Sequence, residues 1–453
     1  MNQVIKKAEK IIDANFRFGI NKRMEILRLI YEICKRNLLT PEALFEDRRI
    51  AGVLLDANLS NLDKFKKIKS ILLEIRFPIT TKYGEKIKVY LNKVPSVEGI
   101  KIFNPQKEFK PEKVYYEKVI ADNDMVNRAK GLFLDVPFEQ IKSLKDFVAQ
   151  QSAVSTDTLG KKTLFFTQQK NGFIKKCPCS KKVVRCNYNI LNIGFGCPFD
   201  CSYCYLQHYT NCPGIILPVN TENVVPQIND FLNSKNKSGM RIGTGEFTDS
   251  LALDHITHYS LSLVDFFSNK DIFLELKTKS NNIKNILKQK PAKNIVISWS
   301  LNPRKIIEKE ELATASLKER LVSAQKCLLH GYSVGFHFDP IFFYENWKED
   351  YKTVIEEMFE HTKGDIAWVS LGTFRFNPAL KAISEQRFPE SKIMYGELLI
   401  GEDGKLRYHK NIRIEMYKFV LSLLRKVNSK IPVYLCMETE DVCKAVGKLD
   451  YLW

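Results

Sequence analysis

From Asn187 onward the chain repeats one pattern, a short run of β-branched and aromatic residues followed by a helical run. The runs NYNILNIG, GMRIGTG, IFLELKT, NIVISWS, SVGFHF and IAWVSLG, punctuated by glycine, asparagine and serine, predict strands. Between them TENVVPQINDFLNS, HITHYSLSLVDFFSN, LKERLVSAQKCLLHG and WKEDYKTVIEEMFEHT place apolar residues at three- and four-residue spacing, which predicts helices. Parallel strands need a crossover connection, so six such units commit the region to an α/β fold with a parallel sheet. The pattern fits an open barrel or a doubly wound layer, and in both the chemistry collects at the carboxyl ends of the strands.

The chain ahead of this region is organised differently. KKAEKIIDANF, NKRMEILRLIYEICKRN and LDKFKKIKSILLEIRF carry helical periodicity, and TPEALF offers a Thr cap with Pro at the first helical position. Residues 1–85 are therefore expected to form a helical N-terminal region, with a basic face that suits a nucleic acid or a partner, or simply solvent. Residues 86–176 read as a proline-punctuated connection followed by a mixed α/β segment, and 177–453 as the repeated α/β region.

Six of the eleven cysteines fall between Cys177 and Cys204, and Cys212 follows closely. Crowding of this kind in a long chain without an apolar leader points to metal chemistry in a reducing compartment, so a cytoplasmic location is expected. No run of eighteen apolar residues suggests a membrane span. A formal net charge of +18 favours polyanionic partners, nucleic acid first among them.

Cys197-Pro-Phe-Asp-Cys201-Ser-Tyr-Cys204 directly follows the first expected strand. Three thiolates on one loop supply all but one of the corners of a 4Fe-4S cluster and leave one iron open to another ligand. A zinc site or unpaired core thiols are the alternatives. Cys177, Cys179, Cys186 and Cys212 form a looser second group, either a further metal site or plain thiols. The second strand ends in Gly243-Thr244-Gly245-Glu246, where glycines admit a ligand close to the backbone. Lys279 and Ser300 close the third and fourth strands, and His337 and Asp339 lie at the fifth, lining a pocket or satisfying backbone groups.

The Cys-x3-Cys-x2-Cys loop with Tyr203 before its last cysteine resembles the signature of the radical S-adenosylmethionine superfamily. That resemblance implies a partial (β/α)6 TIM-type barrel in which the open iron is chelated by S-adenosyl-L-methionine (SAM), which is cleaved to a 5′-deoxyadenosyl radical. It further implies that Tyr203, Gly243, Thr244, Gly245, Glu246, Lys279 and Ser300 contact the cofactor, and it calls for an electron donor such as ferredoxin or flavodoxin.

The runs Cys201 to Gln207, Arg241 to Asp249, Asp254 to Thr257, Thr278-Lys279, Ser300 to Asn302 and Gly331 to Ile341, together with Pro111 to Glu117, resemble the spore photoproduct lyase family. The resemblance covers about Pro111 to Trp453, leaves the N-terminal hundred residues as an addition, and implies carbon–carbon lyase repair of a UV-induced pyrimidine lesion in DNA. In that family a second-strand cysteine returns hydrogen to the product radical with help from a tyrosine near the cluster. Here Glu246 takes the cysteine's position and Tyr205 is retained, which makes Tyr205 and Glu246 the expected catalytic pair. A carboxyl group holds no easily donated hydrogen atom. Either another cysteine or Tyr205 then performs the transfer, or a second reading holds, in which the substrate is RNA, a peptide or a metabolite; a third is a nucleic-acid-binding protein with a purely structural cluster. Near the C-terminus, Leu398 to His409 reads as a hairpin with Asp-Gly at the turn. Arg407 and Tyr408 on it are expected to contact nucleic acid, by phosphate pairing and stacking, as the family's Arg-Tyr hairpin does.

Overall fold

The computed structural model describes residues 2–84, 87, 89–95, 108–150, 161–169, 172–209, 213–220, 224–233, 240–447 and 449–450. It resolves into two compact units.

One unit comprises Met1–Ile102, Phe342–Tyr344 and Phe374–Arg413. Its helices Asn2–Asn15, Ile20–Asn37, Pro41–Phe45 and Asn61–Arg76 are those the periodicity predicts, and Arg48–Leu55 is an additional one. Thr40 caps as expected, accepting from the Ala43 amide at 3.2 Å. Ile12, Ile26, Leu29, Ile30, Ile68 and Leu72 belong to the apolar core between them. Inside the same unit lies a charged cluster. Glu32 accepts from Arg28 at 2.9 Å, from Arg76 Nη2 at 2.8 Å and from Lys381 at 2.5 Å, while Arg28 also pairs with Glu385, and all five side chains are buried. Charges enter a protein interior only with such partners. Burial opposes the Glu32 charge, but the three cations around it hold its carboxyl well below the usual range.

The C-terminal hairpin belongs to this unit, a different grouping from the sequence boundaries of 1–85 and 177–453. Leu398–Ile400 pairs antiparallel with Leu406–Tyr408, and Asp403-Gly404 sits in the turn with Gly404 at φ +75°. A third strand, Arg375–Phe376, lies along the other edge of Leu406–Tyr408. Arg407 and Tyr408, expected at a nucleic-acid contact, are 6% and 2% exposed. Arg407 is held by Asp403 at 2.5 Å, and the Tyr408 hydroxyl accepts from the Phe343 amide at 3.0 Å. The flanking strand and the residues 342–344 enclose what a free hairpin would show.

The other unit comprises Phe103–Ile341, Glu345–Thr373 and Ile414–Trp453. The mixed segment forms a small all-parallel sheet, in spatial order Phe138–Ile141, Lys113–Glu117, Thr163–Thr167 and Ile215–Pro218. The six expected strands form the curled half-barrel: Asn189–Leu191, Met240–Gly243, Ile272–Thr278, Ile295–Ser300, Ser333–Ile341 and Trp368–Thr373, each parallel to the next. A seventh, Val433–Leu435, pairs parallel with the sixth, and Ile174–Lys176 adds antiparallel to the first. Periodicity missed both: each is three residues long and, unlike the equally short Asn189–Leu191, is not part of a longer apolar run that ends in glycine. The helices Leu317–His330 and Trp347–Thr362 match the sequence, the former with a Ser316/Glu319 capping box and Gly331 at φ +110°. The run HITHYSLSLVDFFSN is two helices, Asp254–Thr257 and Tyr259–Phe267, broken where His258 turns left-handed. Of TENVVPQINDFLNS, Val224–Asn233 is helical and the remainder lies outside the described residues.

Candidate active site at the mouth of the half-barrel

The loop that follows the first strand is clamped at several points. Gly196 N–H donates to the Phe247 carbonyl at 2.9 Å, tying it to the segment beyond the second strand. Asp200–Cys201 pairs antiparallel with Glu311–Leu312, and Ser202 N–H reaches Glu310 O at 2.8 Å. Lys161 neutralises the buried Asp200 at 2.7 Å. The Tyr203 hydroxyl donates to Glu311, which also accepts from Asn302 at 2.9 Å and from Arg320 at 2.6 Å. Burial works against the Glu311 charge; Arg320, Lys279 and these hydrogen bonds prevail and bring its pKa down to about 2.

Cys197, Cys201 and Cys204 therefore sit on a loop that has little freedom, outside any disulfide. Burial pushes all three thiols above the ordinary range, and Cys201 also feels Cys204 and Cys197. Lys279 and Lys161 act the other way, as cations that favour thiolate. Three adjacent thiols with positive charge at hand fit a cluster bound by three thiolates, because bound iron deprotonates its ligands. No three His, Cys, Asp or Glu side chains converge on a single-ion site among the described residues, so neither the loop nor the looser group Cys177, Cys179 and Cys186 forms a zinc-type site. Cys212 lies outside the described residues.

The glycines of the second-strand motif have specific causes. A Cβ at Gly243 would stand 1.6 Å from the Tyr188 hydroxyl, which occupies that space. Gly245 adopts φ +79°, a conformation costly for residues with a Cβ, and packs on Lys277. Thr244 is buried, its hydroxyl 2.5 Å from Ser250 Oγ. Burial raises the Glu246 carboxyl pKa, against the pull of Lys277, Tyr205 and Lys175. Tyr205, 37% exposed, donates its hydroxyl to the Glu246 carbonyl, so the two expected catalytic residues adjoin.

Lys279 is half-buried at the end of the third strand. Burial disfavours its charge, but Glu311 and Cys201 raise its pKa, so it faces the cysteine loop as an ammonium. Ser300 is buried, and its carbonyl accepts from Arg320 at 2.8 Å. His337 donates Nε2–H to Glu275 at 2.7 Å, and burial first, then Lys277, keeps this imidazole below the usual range and neutral. Glu275 also accepts from Ser298 at 2.7 Å and Trp368 at 2.9 Å. His337 is thus part of the barrel interior.

Sequence reasoning gave no role to Asp249, whose carboxylate accepts from the Leu251 and Ala252 amides at 3.0 and 2.9 Å, the Thr278 hydroxyl at 2.6 Å and the Lys279 amide at 2.7 Å. It fastens the second-strand motif to the residue that carries the ammonium. Glu311 and Arg320 were missed as well: Glu311 lies on the two-residue strand Glu311–Leu312, too short to show a pattern, and Arg320 on a helical run whose charges read as solvated.

A half-barrel with a three-cysteine loop at the carboxyl end of its first strand defines the radical SAM class of enzyme fold. The family model for spore photoproduct lyase matches residues 135–430, and the chain belongs to that family, whose members are radical SAM enzymes with a 4Fe-4S cluster. The spore photoproduct lyase of Bacillus subtilis (strain 168) is 27% identical over 208 residues, 45% of this chain and 60% of that relative. The Clostridium acetobutylicum spore photoproduct lyase is 23% identical over 62% of this chain and 83% of its own length. The chain thus spans 60% of the length of the Bacillus relative. A solved spore photoproduct lyase double mutant with bound AdoMet and dinucleoside spore photoproduct superposes with a TM-score of 0.63, at 22% identity, covering 72% of this chain and 99% of that one. The fold is shared with it. No helix among the described residues is long and apolar enough to cross a membrane.

Proposed function

We propose that this protein is a radical SAM lyase that repairs a UV-induced pyrimidine lesion in DNA. The observation that carries the reading is the set of three adjacent cysteines beside a glycine-rich strand end and the Lys279 ammonium, on the fold of a family whose members do this chemistry. Cys197, Cys201 and Cys204 hold the cluster. When bound, the cluster and SAM supply the electron and the 5′-deoxyadenosyl radical that takes a hydrogen atom from the substrate. The chain's own residues orient the cofactor. Gly243, Thr244 and Gly245 admit it close to the backbone, Glu246 accepts from its amino group, Lys279 meets its carboxylate, and Tyr203 and Ser300 bound the site. Tyr205 stands next to Glu246 and moves hydrogen between substrate and protein.

A low-potential carrier such as ferredoxin or flavodoxin reduces the cluster, in a reducing cytoplasm that keeps the thiols available. The net charge of +18 supports DNA as the macromolecular partner. A second reading, the same chemistry on RNA, a peptide or a metabolite, is favoured by Glu246 in place of a thiol and by the enclosure of Arg407 and Tyr408.

The test is anaerobic reconstitution with iron and sulfide, reduction, and addition of SAM with or without the dinucleoside spore photoproduct. Cofactor cleavage that rises with the lesion, together with recovery of the dinucleotide, supports repair. Cleavage that ignores the lesion moves the reaction to the second reading. A Cys201→Ala protein that still forms 5′-deoxyadenosine overturns the cluster assignment.

A further inference from the structure

Radical chemistry leaves an unpaired electron on the product, and an enzyme that releases a closed-shell molecule must return a hydrogen atom to it. Neither Glu246 nor Lys279 holds a hydrogen atom that a carbon radical can readily take; a thiol does. The segment after Ile174–Lys176 brings thiols to this place. Cys177 N–H donates to the Tyr188 carbonyl at 2.9 Å, and Tyr188 is the residue whose hydroxyl fills the space over Gly243. The chain then crosses to the far edge of the sheet, where Val184 N–H meets Glu438 O at 2.8 Å and Val183 bridges to Thr439. Cys436, beyond the seventh strand, lies on this path, its amide donating to Leu371 O at 2.8 Å. Cys179 and Cys177 stand sulfur to sulfur at 3.7 Å.

The surroundings of Cys177 include the proposed site. Its pKa is raised first by the hydrogen bond with Cys179, then by burial, then by Cys179, Cys436 and Glu246, and so it keeps its hydrogen at neutral pH.

We infer that Cys177 is the hydrogen-atom donor of this enzyme, with Cys179 as its redox partner, in the position that a thiol at Glu246 would otherwise serve. The inference rests on the proposed radical reaction. As the S–H bond of Cys177 breaks, a C–H bond forms on the product. The thiyl sulfur bonds to Cys179, whose proton goes to water, and one electron passes to a one-electron acceptor, the oxidised iron–sulfur centre. The dithiol thus gives up two electrons and two hydrogens, and a disulfide of about 2.05 Å closes the pair. Continued turnover consumes a dithiol reductant.

The experiment uses the reconstituted holoenzyme in deuterium oxide with the dinucleoside spore photoproduct, without added dithiol, and follows three quantities: 5′-deoxyadenosine, deuterium in the repaired dinucleotide, and differential alkylation of Cys177 and Cys179. Wild type is expected to place one deuterium in each product and to lose both thiols to alkylation after a single turnover. Cys177→Ala is expected to cleave SAM in the first turnover while repaired product falls at least tenfold, and, when dithiol is then added, Cys179→Ala to remain at one product where wild type continues. Deuterated product from Cys177→Ala at the wild-type level overturns the inference. So does wild-type repair that leaves both thiols alkylatable, a result that needs no variant to fold. Absence of 5′-deoxyadenosine from wild type instead overturns the proposed radical reaction, and the inference with it.

Discussion

Arg320 meets Glu311 at 2.6 Å with neither side chain exposed, and the same carboxylate accepts from Tyr203 between the second and third cysteines of the loop. A helix one strand away thereby sets where the cysteines stand. Removing the cation leaves a buried carboxylate without its main partner.

Arg320→Met is expected to cost about 3–5 kcal/mol of stability, the penalty for stranding one half of a buried ion pair. Iron retained after reconstitution should fall with it. Thermal unfolding and iron analysis check the two effects, and an unchanged melting temperature would show that Glu311 is held by Tyr203 and Asn302 alone.

Glu311 also makes a prediction about acid. Its folded-state pKa, about 2 against an ordinary 4.5, means that its contribution is fully present above pH 4.5 and is lost as pH falls toward 2. The shift corresponds to about 3 kcal/mol. Wild type should lose that much stability across this window relative to Glu311→Gln, as read by denaturant titration at a series of pH values.

Gly243 and Tyr188 form a pair in which one residue has no side chain because the other needs the room. Gly243→Ala alone should destabilise by about 1–3 kcal/mol through overpacking. In a Tyr188→Ala background the same change should cost little, so the two substitutions are expected to be strongly non-additive in a double-mutant cycle.

Lys279→Met should weaken SAM binding at least tenfold, since a hydrogen bond to a charged partner contributes about 1.5–3 kcal/mol. Calorimetric titration of the reconstituted protein measures it. Unchanged affinity would remove Lys279 from the cofactor site.

For the hairpin, Tyr408→Phe should cost about 1–3 kcal/mol by leaving the Phe343 amide unsatisfied, and Arg407→Ala should strand Asp403. Because both side chains are enclosed, neither substitution should reduce the salt dependence of DNA binding by the unit slope of a lost phosphate contact. A slope reduced by one in folded Arg407→Ala would restore that residue to the DNA interface.

The sequence made the half-barrel legible because each of its six strands is long enough, or well enough bounded by glycine, to carry a pattern. The three-residue strands Ile174–Lys176 and Val433–Leu435 are not. The cysteine loop and the second-strand motif were visible as spacing. What held them in place was not, since Asp249, Glu311 and Arg320 act through partners that lie distant in the chain or look like solvated charges. The hairpin shows the opposite limit: its turn was readable from Asp403-Gly404, but whether Arg407 faces water depends on Arg375–Phe376, a strand of two residues. Cys177 and Cys179 read in the sequence only as part of a loose cysteine group; the fold sets them sulfur to sulfur at 3.7 Å and ties Cys177 to Tyr188, the neighbour of Gly243.

Lys381 reaches back across 349 residues to complete the buried cluster around Glu32. On a ribosome adding roughly 5–20 residues per second, that partner emerges on the order of 20–70 s after Glu32 has been made. Until then Arg28, Glu32 and Arg76 have only one another within this cluster. A truncation that removed their helices would leave Lys381 and Glu385 without Glu32 and Arg28, the partners that admit them to the interior.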